Sequence, residues 1–322
     1  MDAMNAKDFL LSDFEGRIHL VNKACNARLW SSQLVPIWRD VIRKLEKLGD
    51  QYGPLGRKLA RELIVLAPDS GAAEEIFRNW MTDGGLRGPI ADPAIVYLVL
   101  SCEKYKQKAL PLYEKIVPHL NPTFIVLGDE KIDEAVFNGQ FLTVPAPDNY
   151  ENLPKKILEA LVAVWREFGK VGILKIDDDT QFHAEPDHAR IKDLVSSSDY
   201  AGWGTGGPGL DRCWHVGKCE HFKDEPYRRR FRGLFAAGPL YYLGPSAVEC
   251  LVRNHVFFPS EFAGEIFEDK AIGDMLRAHH IELSDIRLSE IFGIAMPADF
   301  LDDVPNLAPL TIDWQDIGRF ES

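Results

Sequence analysis

The chain has 322 residues, 46% hydrophobic and 27% charged, a composition that excludes disordered and fibrous classes and suits one large or two modest globular domains. Its formal net charge of −12 repels polyanions and argues against a general nucleic-acid binder, so any phosphate it handles must be held by a local device. The longest apolar stretch, 233–247, falls short of the roughly 20 residues a membrane-spanning helix needs and is interrupted by Pro239 and Pro245. No basic start followed by an apolar block marks a secretory signal. Five widely spaced cysteines, Cys25, Cys102, Cys213, Cys219 and Cys250, suit reduced thiols better than a disulfide framework, so the expected compartment is the cytoplasm.

Between Leu34 and Trp80 apolar residues recur at spacings of three and four, as in Val35, Trp38, Val41, Ile42 and Leu45, and then Leu59, Leu63, Ile64 and Ala67. This periodicity predicts an all-helical region over 1–90 whose charged outer positions are solvated surface. A glycine- and proline-rich linker follows at 84–93, and the second unit, 91–322, has a different pattern. Ala94 to Ser101, Thr123 to Gly128 and Val171 to Ile176 are continuous apolar runs of strand length, with helical patterns at about Glu103 to Leu120 and Asn152 to Phe168 between them. Buried strands alternating with helices predict an α/β domain with a mostly parallel sheet flanked by helices, and ligands of such sheets sit beyond the carboxyl ends of the strands.

Three carboxylates, Asp177, Asp178 and Asp179, follow the third run directly. Like charges so close raise one another's pKa unless a cation neutralises them, and hard oxygen ligands suit Mg2+ or Mn2+ completed by substrate phosphates. Two enzyme chemistries share a strand ending in Asp-x-Asp. A phosphohydrolase would use Asp177 as nucleophile, but its threonine belongs two positions after the second Asp, where Gln181 stands; Thr180 is one residue early. A nucleotide-sugar glycosyltransferase uses the acids to hold the metal on a leaving nucleoside diphosphate. A non-catalytic module binding Ca2+ structurally is the third reading.

About ninety residues on, Glu265-Ile-Phe-Glu268-Asp269-Lys-Ala-Ile-Gly273-Asp274 opens a helical pattern. Acids at a helix start are favoured by the macrodipole and serve as caps, and they also stay ionised there. Beside the aspartate cluster, such a carboxylate can take the proton of an attacking sugar hydroxyl as general base.

Five segments in order resemble glycosyltransferase family 31, the inverting β1,3-galactosyl- and β1,3-N-acetylglucosaminyltransferases and their Fringe relatives. They are Val99-Leu-Ser101, Asp148-Asn-Tyr150-Glu-Asn152-Leu153-Pro-Lys-Lys156, Lys175-Ile-Asp177-Asp178-Asp179, Ala236-Ala-Gly238-Pro-Leu-Tyr241-Tyr242-Leu, and Glu268-Asp269-Lys-Ala-Ile-Gly273, spanning about 94–285. The resemblance implies the GT-A fold, a UDP-sugar donor and Mn2+ or Mg2+. It makes Asp179 a metal ligand, Asp177 and Asp178 metal or donor contacts, and Asp269 the catalytic base with Glu268 beside it. Ser101, Asp148 and Lys156 would lie around the nucleotide. Gly238 would leave room for a sugar, with Tyr241 and Tyr242 offering ring faces or serving as core aromatics. The implied partners are a nucleotide-sugar donor and a glycan or lipid-linked acceptor, with no nucleic acid; a peripheral membrane contact stays open. A bacterial-type enzyme of surface polysaccharide or glycan synthesis fits these features.

The chain also departs from that pattern. The family's later metal histidine has only His279 and His280 as counterparts, ten and eleven residues past Asp269, and Lys104, Lys106 and Lys108 replace its early arginines. Gly202-Trp-Gly204-Thr-Gly-Gly207 spells a dinucleotide fingerprint but runs into Pro208, so a flexible loop near the donor site is expected. Cys213, His215, Cys219 and His221 lack the usual zinc spacing and point to a structural or acceptor loop. The basic run Arg228 to Arg232 suits an anionic acceptor or a salt-bridged face equally.

Overall fold

The computed structural model describes residues 40–41, 94–207, 215–221, 227, 229 and 231–297. The expected N-terminal helices, the linker and Cys213 lie outside these residues apart from Asp40 and Val41, which are helical, Val41 being buried in the core.

The described residues form a mixed α/β sandwich around one eight-stranded sheet. In chain order the strands are β1 (Ile95–Leu100), β2 (Thr123–Gly128), β3 (Val136–Asn138), β4 (Phe141–Val144), β5 (Gly172–Asp177), β6 (Gln181–Phe182), β7 (Tyr200–Gly206), β8 (Leu234–Leu243), β9 (Ser284–Asp285) and β10 (Ile294–Ala295). The helices are α1 (Lys106–Ile116), α2 (Leu153–Phe168), α3 (His188–Ser197), α4 (Pro245–Phe257), α5 (Glu268–Ala278) and α6 (Leu288–Phe292). The sheet order is β3-β4-β2-β1-β5-β8-β7-β9, while β6 and β10 form a separate two-stranded ribbon. β4, β2, β1 and β5 run parallel, as does the β7–β9 pair; β3, and β8 against both neighbours, are antiparallel.

Side chains alternate across a strand, so an apolar run without polar breaks must be covered on both faces. β1 shows this directly. Val96, Leu98 and Leu100 enter a core layer shared with α2, α4 and α5, while Ile95, Tyr97 and Val99 enter the opposite layer with α1, α3 and α6. Each fully buried aliphatic side chain of this kind contributes about 1.5–3 kcal/mol relative to exposure. α2 has a proline in its first turn, where no backbone hydrogen bond is lost, and stops at Gly169 with φ +75°, a conformation that favours glycine.

The three strands read from the sequence appear within a residue or two of their expected limits. The first helical pattern resolves into a short 3-10 turn over Glu103–Tyr105 followed by α1, which ends four residues before the expected Leu120. The glycine-rich segment 202–207 is not a flexible loop: Gly202 to Gly206 belong to β7 and pair with β8 and β9. The missing Cβ atoms permit that close packing, since one built on Gly202 would lie 2.6 Å from the Ala236 side chain.

Candidate active site at the carboxyl rim of the sheet

β1, β2 and β5 end on the same rim, and β8, running the other way, begins there. The register pairs Leu100 with Asp177, and Ile176 with Leu240, which brings Ser101, Asp178 and Gly238 together beyond the strand ends. Ser101 is buried, and its hydroxyl donates to Asp178 Oδ2 at 2.6 Å. The Ser101 carbonyl accepts from Lys156 Nζ at 2.9 Å.

Lys156 also contacts Asp148 Oδ1 at 2.6 Å. Asp148 in turn accepts the backbone N–H of Gly128 at 2.9 Å and of Glu103 at 2.6 Å. Asp148 and Lys156, two of the three residues named for the nucleotide, are therefore tied with the Ser101 carbonyl into a brace joining the ends of β1 and β2 to α2. The brace fixes the shape of the rim, and its two charges satisfy one another.

The second acidic pair opens α5. Both acids lie in the first turn of α5, where the macrodipole favours them, and the N-cap residue, Phe267, makes no side-chain capping bond. Asp269 is held by two backbone amides: Gly238 N–H donates to Oδ2 at 3.1 Å and Lys270 N–H to Oδ1 at 2.7 Å. Glu268 is buried, and its Oε1 accepts from the Tyr241 hydroxyl at 2.5 Å. Burial lifts the Asp269 carboxyl to about 6, although the Lys270 amide, the Lys175 charge and the Gly238 amide all oppose that rise. Burial likewise raises Glu268, with Lys175 opposing.

Lys175 joins the two acidic sets. In β5 its side chain alternates with those of Leu174 and Ile176, so it points to the same face as Asp177 and α5. It is 1% exposed, with Nζ 2.6 Å from Asp177 Oδ1 and 3.5 Å from Glu268 Oε1, and it donates a short bond to the Gly238 carbonyl. Burial alone would lower the lysine, but Asp177 and Glu268 outweigh it and hold the ammonium above its usual range. Burial also pushes Asp177 up to about 7 despite the lysine, although 32% of its side-chain surface stays open. One cation thus stands among Asp177, Glu268 and Asp269, and burial, aided by the surplus negative charge, keeps the acids raised.

A divalent cation was the counter-charge expected for the aspartates; Lys175 supplies part of it instead. Among the described residues no group of three or more His, Cys, Asp or Glu side chains is arranged to hold a metal. Asp177 keeps one oxygen clear of the lysine, and Asp179 is exposed. Two hard carboxylates of this kind fit Mg2+ or Mn2+ that takes its remaining ligands from phosphate and water. His279 is not among them: it lies at the far end of α5, its Nε2 3.0 Å from Asn254 Nδ2. The Thr180 hydroxyl donates to the Asp177 carbonyl at 2.8 Å and so closes the turn after β5, which gives the phosphohydrolase reading no support.

Tyr241 and Tyr242 are both fully buried, so neither offers a ring face to a sugar. Their alternation sends Tyr241 to Glu268 and Tyr242 into the opposite core layer. Two residues quoted within the resembling segments, but given no role there, also bear on the site. One is Lys175, for which a lone charge within a buried strand was the available signal. The other is Tyr150, whose phenol is raised first by burial and then by the charges of Asp269, Cys219, Glu268 and Asp177. The segment 215–221 sits against Tyr150, with Lys218 Nζ 5.6 Å from its ring centre and Glu151 accepting the His221 amide at 2.7 Å. Cys219 is a free thiol there, while Cys213 lies outside the described residues.

Of the basic run, Arg228 and Arg230 lie outside the described residues. Arg229 is paired with Glu265 at 2.6 Å, and Arg232 is exposed. Both line a cleft of about 910 Å3 between the end of α4 and the outer face of α5, which includes none of the five acids at the rim.

No family model matches the chain, and no curated protein does. Among solved structures, a Bacillus anthracis protein described as a glucose-1-phosphate thymidylyltransferase, in complex with sucrose, aligns over 60% of this chain and 87% of its own, at 10% identity and a TM-score of 0.35. HddC from Yersinia pseudotuberculosis aligns over 48% of this chain and 79% of its own, at 12% identity and a TM-score of 0.25. Likeness at this level assigns no activity.

Proposed function

We propose that the chain is a nucleotide-sugar-dependent glycosyltransferase that moves a hexose or N-acetylhexosamine from a UDP-sugar to a sugar hydroxyl with inversion, of the β1,3 type that family 31 resemblance implies. The observation that carries this reading is the meeting of two acidic sets, Asp177 to Asp179 after β5 and Glu268-Asp269 at the start of α5, around one buried lysine at the carboxyl rim of the sheet. Metal binding at the donor side draws on the first set. Transfer to a hydroxyl also needs a base, which the second set supplies.

Asp269 suits the base. Its oxygens accept from fixed backbone amides, which hold the carboxylate in one orientation while it remains mostly ionised at pH 7. Glu268, bound to Tyr241 and Lys175, stands beside the base. Gly238 keeps the approach to the base clear, because a Cβ there would stand 3.3 Å from Asp269 Oδ2. At the donor side, Asp178 is oriented by Ser101, and Asp177 and Asp179 offer oxygens to Mg2+ or Mn2+, a cation that supplies positive charge for a departing diphosphate. The Asp148–Lys156 brace supports that side.

A melting-shift screen of nucleotide sugars with and without Mn2+ tests the reading. A ligand present at a hundredfold its Kd stabilises the fold by about 2.7 kcal/mol. UDP-sugars should raise the melting temperature in the presence of Mn2+; no shift with any of them would overturn the proposal.

A further inference from the structure

Lys175 is engaged in a way that neither core packing nor donor binding requires. With three N–H donors to satisfy, the buried ammonium gives one to Asp177, its neighbour two residues on in the same strand. It reaches across the sheet rim as well, to the Glu268 carboxylate on α5 and to the Gly238 carbonyl on β8. The peptide groups of Gly238 then carry the connection further, since its N–H donates to Asp269 Oδ2. One cation on β5 therefore fixes β8 and the start of α5 together, with its ammonium 5.4 Å from the ring centre of Tyr241, the residue that donates to Glu268.

We infer that Lys175 is the positioning residue of the site: it holds Asp177, Glu268 and the backbone at Gly238 in one arrangement, and through Gly238 it sets the orientation of Asp269. This inference rests on Asp269 being the base of the proposed transfer. Lys175 itself is sealed from solvent and touches no substrate. Its effect should fall on turnover through Asp269 and, through Asp177, on UDP affinity in the presence of Mn2+.

The side chain has the chemistry for this part. An ammonium is a compact point charge that donates in several directions at once, whereas the planar fork of arginine would need a carboxylate pair facing it. The acceptors here lie on three different elements. Lys175→Arg therefore keeps the charge and loses the geometry, while Lys175→Met keeps the approximate length and loses both.

The test is a double-mutant cycle on the full chain. Wild type, Lys175→Met, Asp269→Asn and the double variant are compared for release of UDP from UDP-glucose, UDP-galactose and UDP-N-acetylglucosamine, and for UDP affinity with Mn2+. At saturating donor, Lys175→Met should lose on the order of 100-fold in turnover, beyond any UDP affinity it loses through Asp177. The double variant should be no slower than Asp269→Asn, because both changes disable the same carboxylate. Additive losses, or turnover retained within a few-fold, would overturn the inference. Lys175→Arg gives the same comparison if the methionine variant does not fold.

Hydrogen exchange separates this inference from the proposed activity. The Gly238 amide should exchange markedly faster in Lys175→Met or Lys175→Arg, while Leu240 to Leu243, paired with β5 and β7, stay protected. Unchanged protection at Gly238 overturns the inference whatever the donor. Faster exchange there in a chain that turns over none of the UDP-sugars supports Lys175 as the organiser of the rim and removes the transferase reading instead.

Discussion

Lys156 and Asp148 lie 2.6 Å apart in an ion pair whose lysine is sealed from solvent. Through the Ser101 carbonyl and the amides of Gly128 and Glu103, the pair ties the ends of β1 and β2 to α2. Removing one partner of such a pair leaves the other charged and under-solvated, at a cost of roughly 3–5 kcal/mol. Asp148 keeps 20% of its side-chain surface exposed, so Lys156→Met should sit near the lower figure, about 3 kcal/mol. Urea unfolding should show a lower midpoint with an unchanged slope.

Gly273 of α5 lies directly over Phe235 of β8, where a Cβ would overlap the phenylalanine side chain and stand 3.3 Å from the Tyr200 hydroxyl. On an exposed helix face, Gly→Ala stabilises by up to about 1 kcal/mol. Here overpacking dominates, and Gly273→Ala should destabilise by about 1–3 kcal/mol in the same assay. A stabilised variant would mean that α5 does not pack this closely on the sheet.

The pH dependence follows from Asp269. Burial raises its carboxyl to about 6, and a base must be deprotonated to act. Turnover should therefore be low near pH 5, climb through about pH 6 and level off above pH 7. The initial rate at saturating donor, followed across that range, reads this directly; a rate that falls over the same interval would exclude a carboxylate base with this pKa.

Ser101→Ala removes the only hydroxyl bonded to Asp178 Oδ2 among the described contacts. A hydrogen bond to a charged group is worth about 1.5–3 kcal/mol, and water can replace part of it at this half-buried carboxylate. UDP affinity with Mn2+ should weaken by about 5- to 10-fold, corresponding to about 1–1.4 kcal/mol, as measured by titration calorimetry.

What the sequence discloses about the fold follows from periodicity. The continuous apolar runs of β1, β2 and β5 announce a sheet covered on both faces, and the positions at which they stop locate its functional rim. β7 is less legible because Gly202, Gly204 and Gly206 carry no apolar pattern; its identity comes from pairing with β8 and from glycines that let Ala236, Asp285 and Phe235 approach. Very short strands such as β9 exist only through their partners and leave no periodic trace.

The acids of the site are visible in sequence because carboxylates beyond a buried strand demand compensation. What compensates them is less visible. The expected counter-charge is a divalent ion; the structure adds Lys175, whose reach to α5 and β8 depends on register and on the alternation of β5 side chains. Similarly, the apolar context of Tyr241 and Tyr242 marks aromatic side chains without showing which face each enters, and the sheet buries both.

Asp269→Asn preserves the side-chain shape and one acceptor oxygen for the two backbone amides while removing the ability to take a proton. Turnover of a UDP-hexose by this variant, measured beside its affinity for UDP and Mn2+, tests most directly whether the rim works as a sugar-transfer site. Affinity should stay within a few-fold of the wild type while turnover falls by about 100- to 10,000-fold. A variant that binds UDP and still turns over at the wild-type rate would contradict the assignment of Asp269 as base.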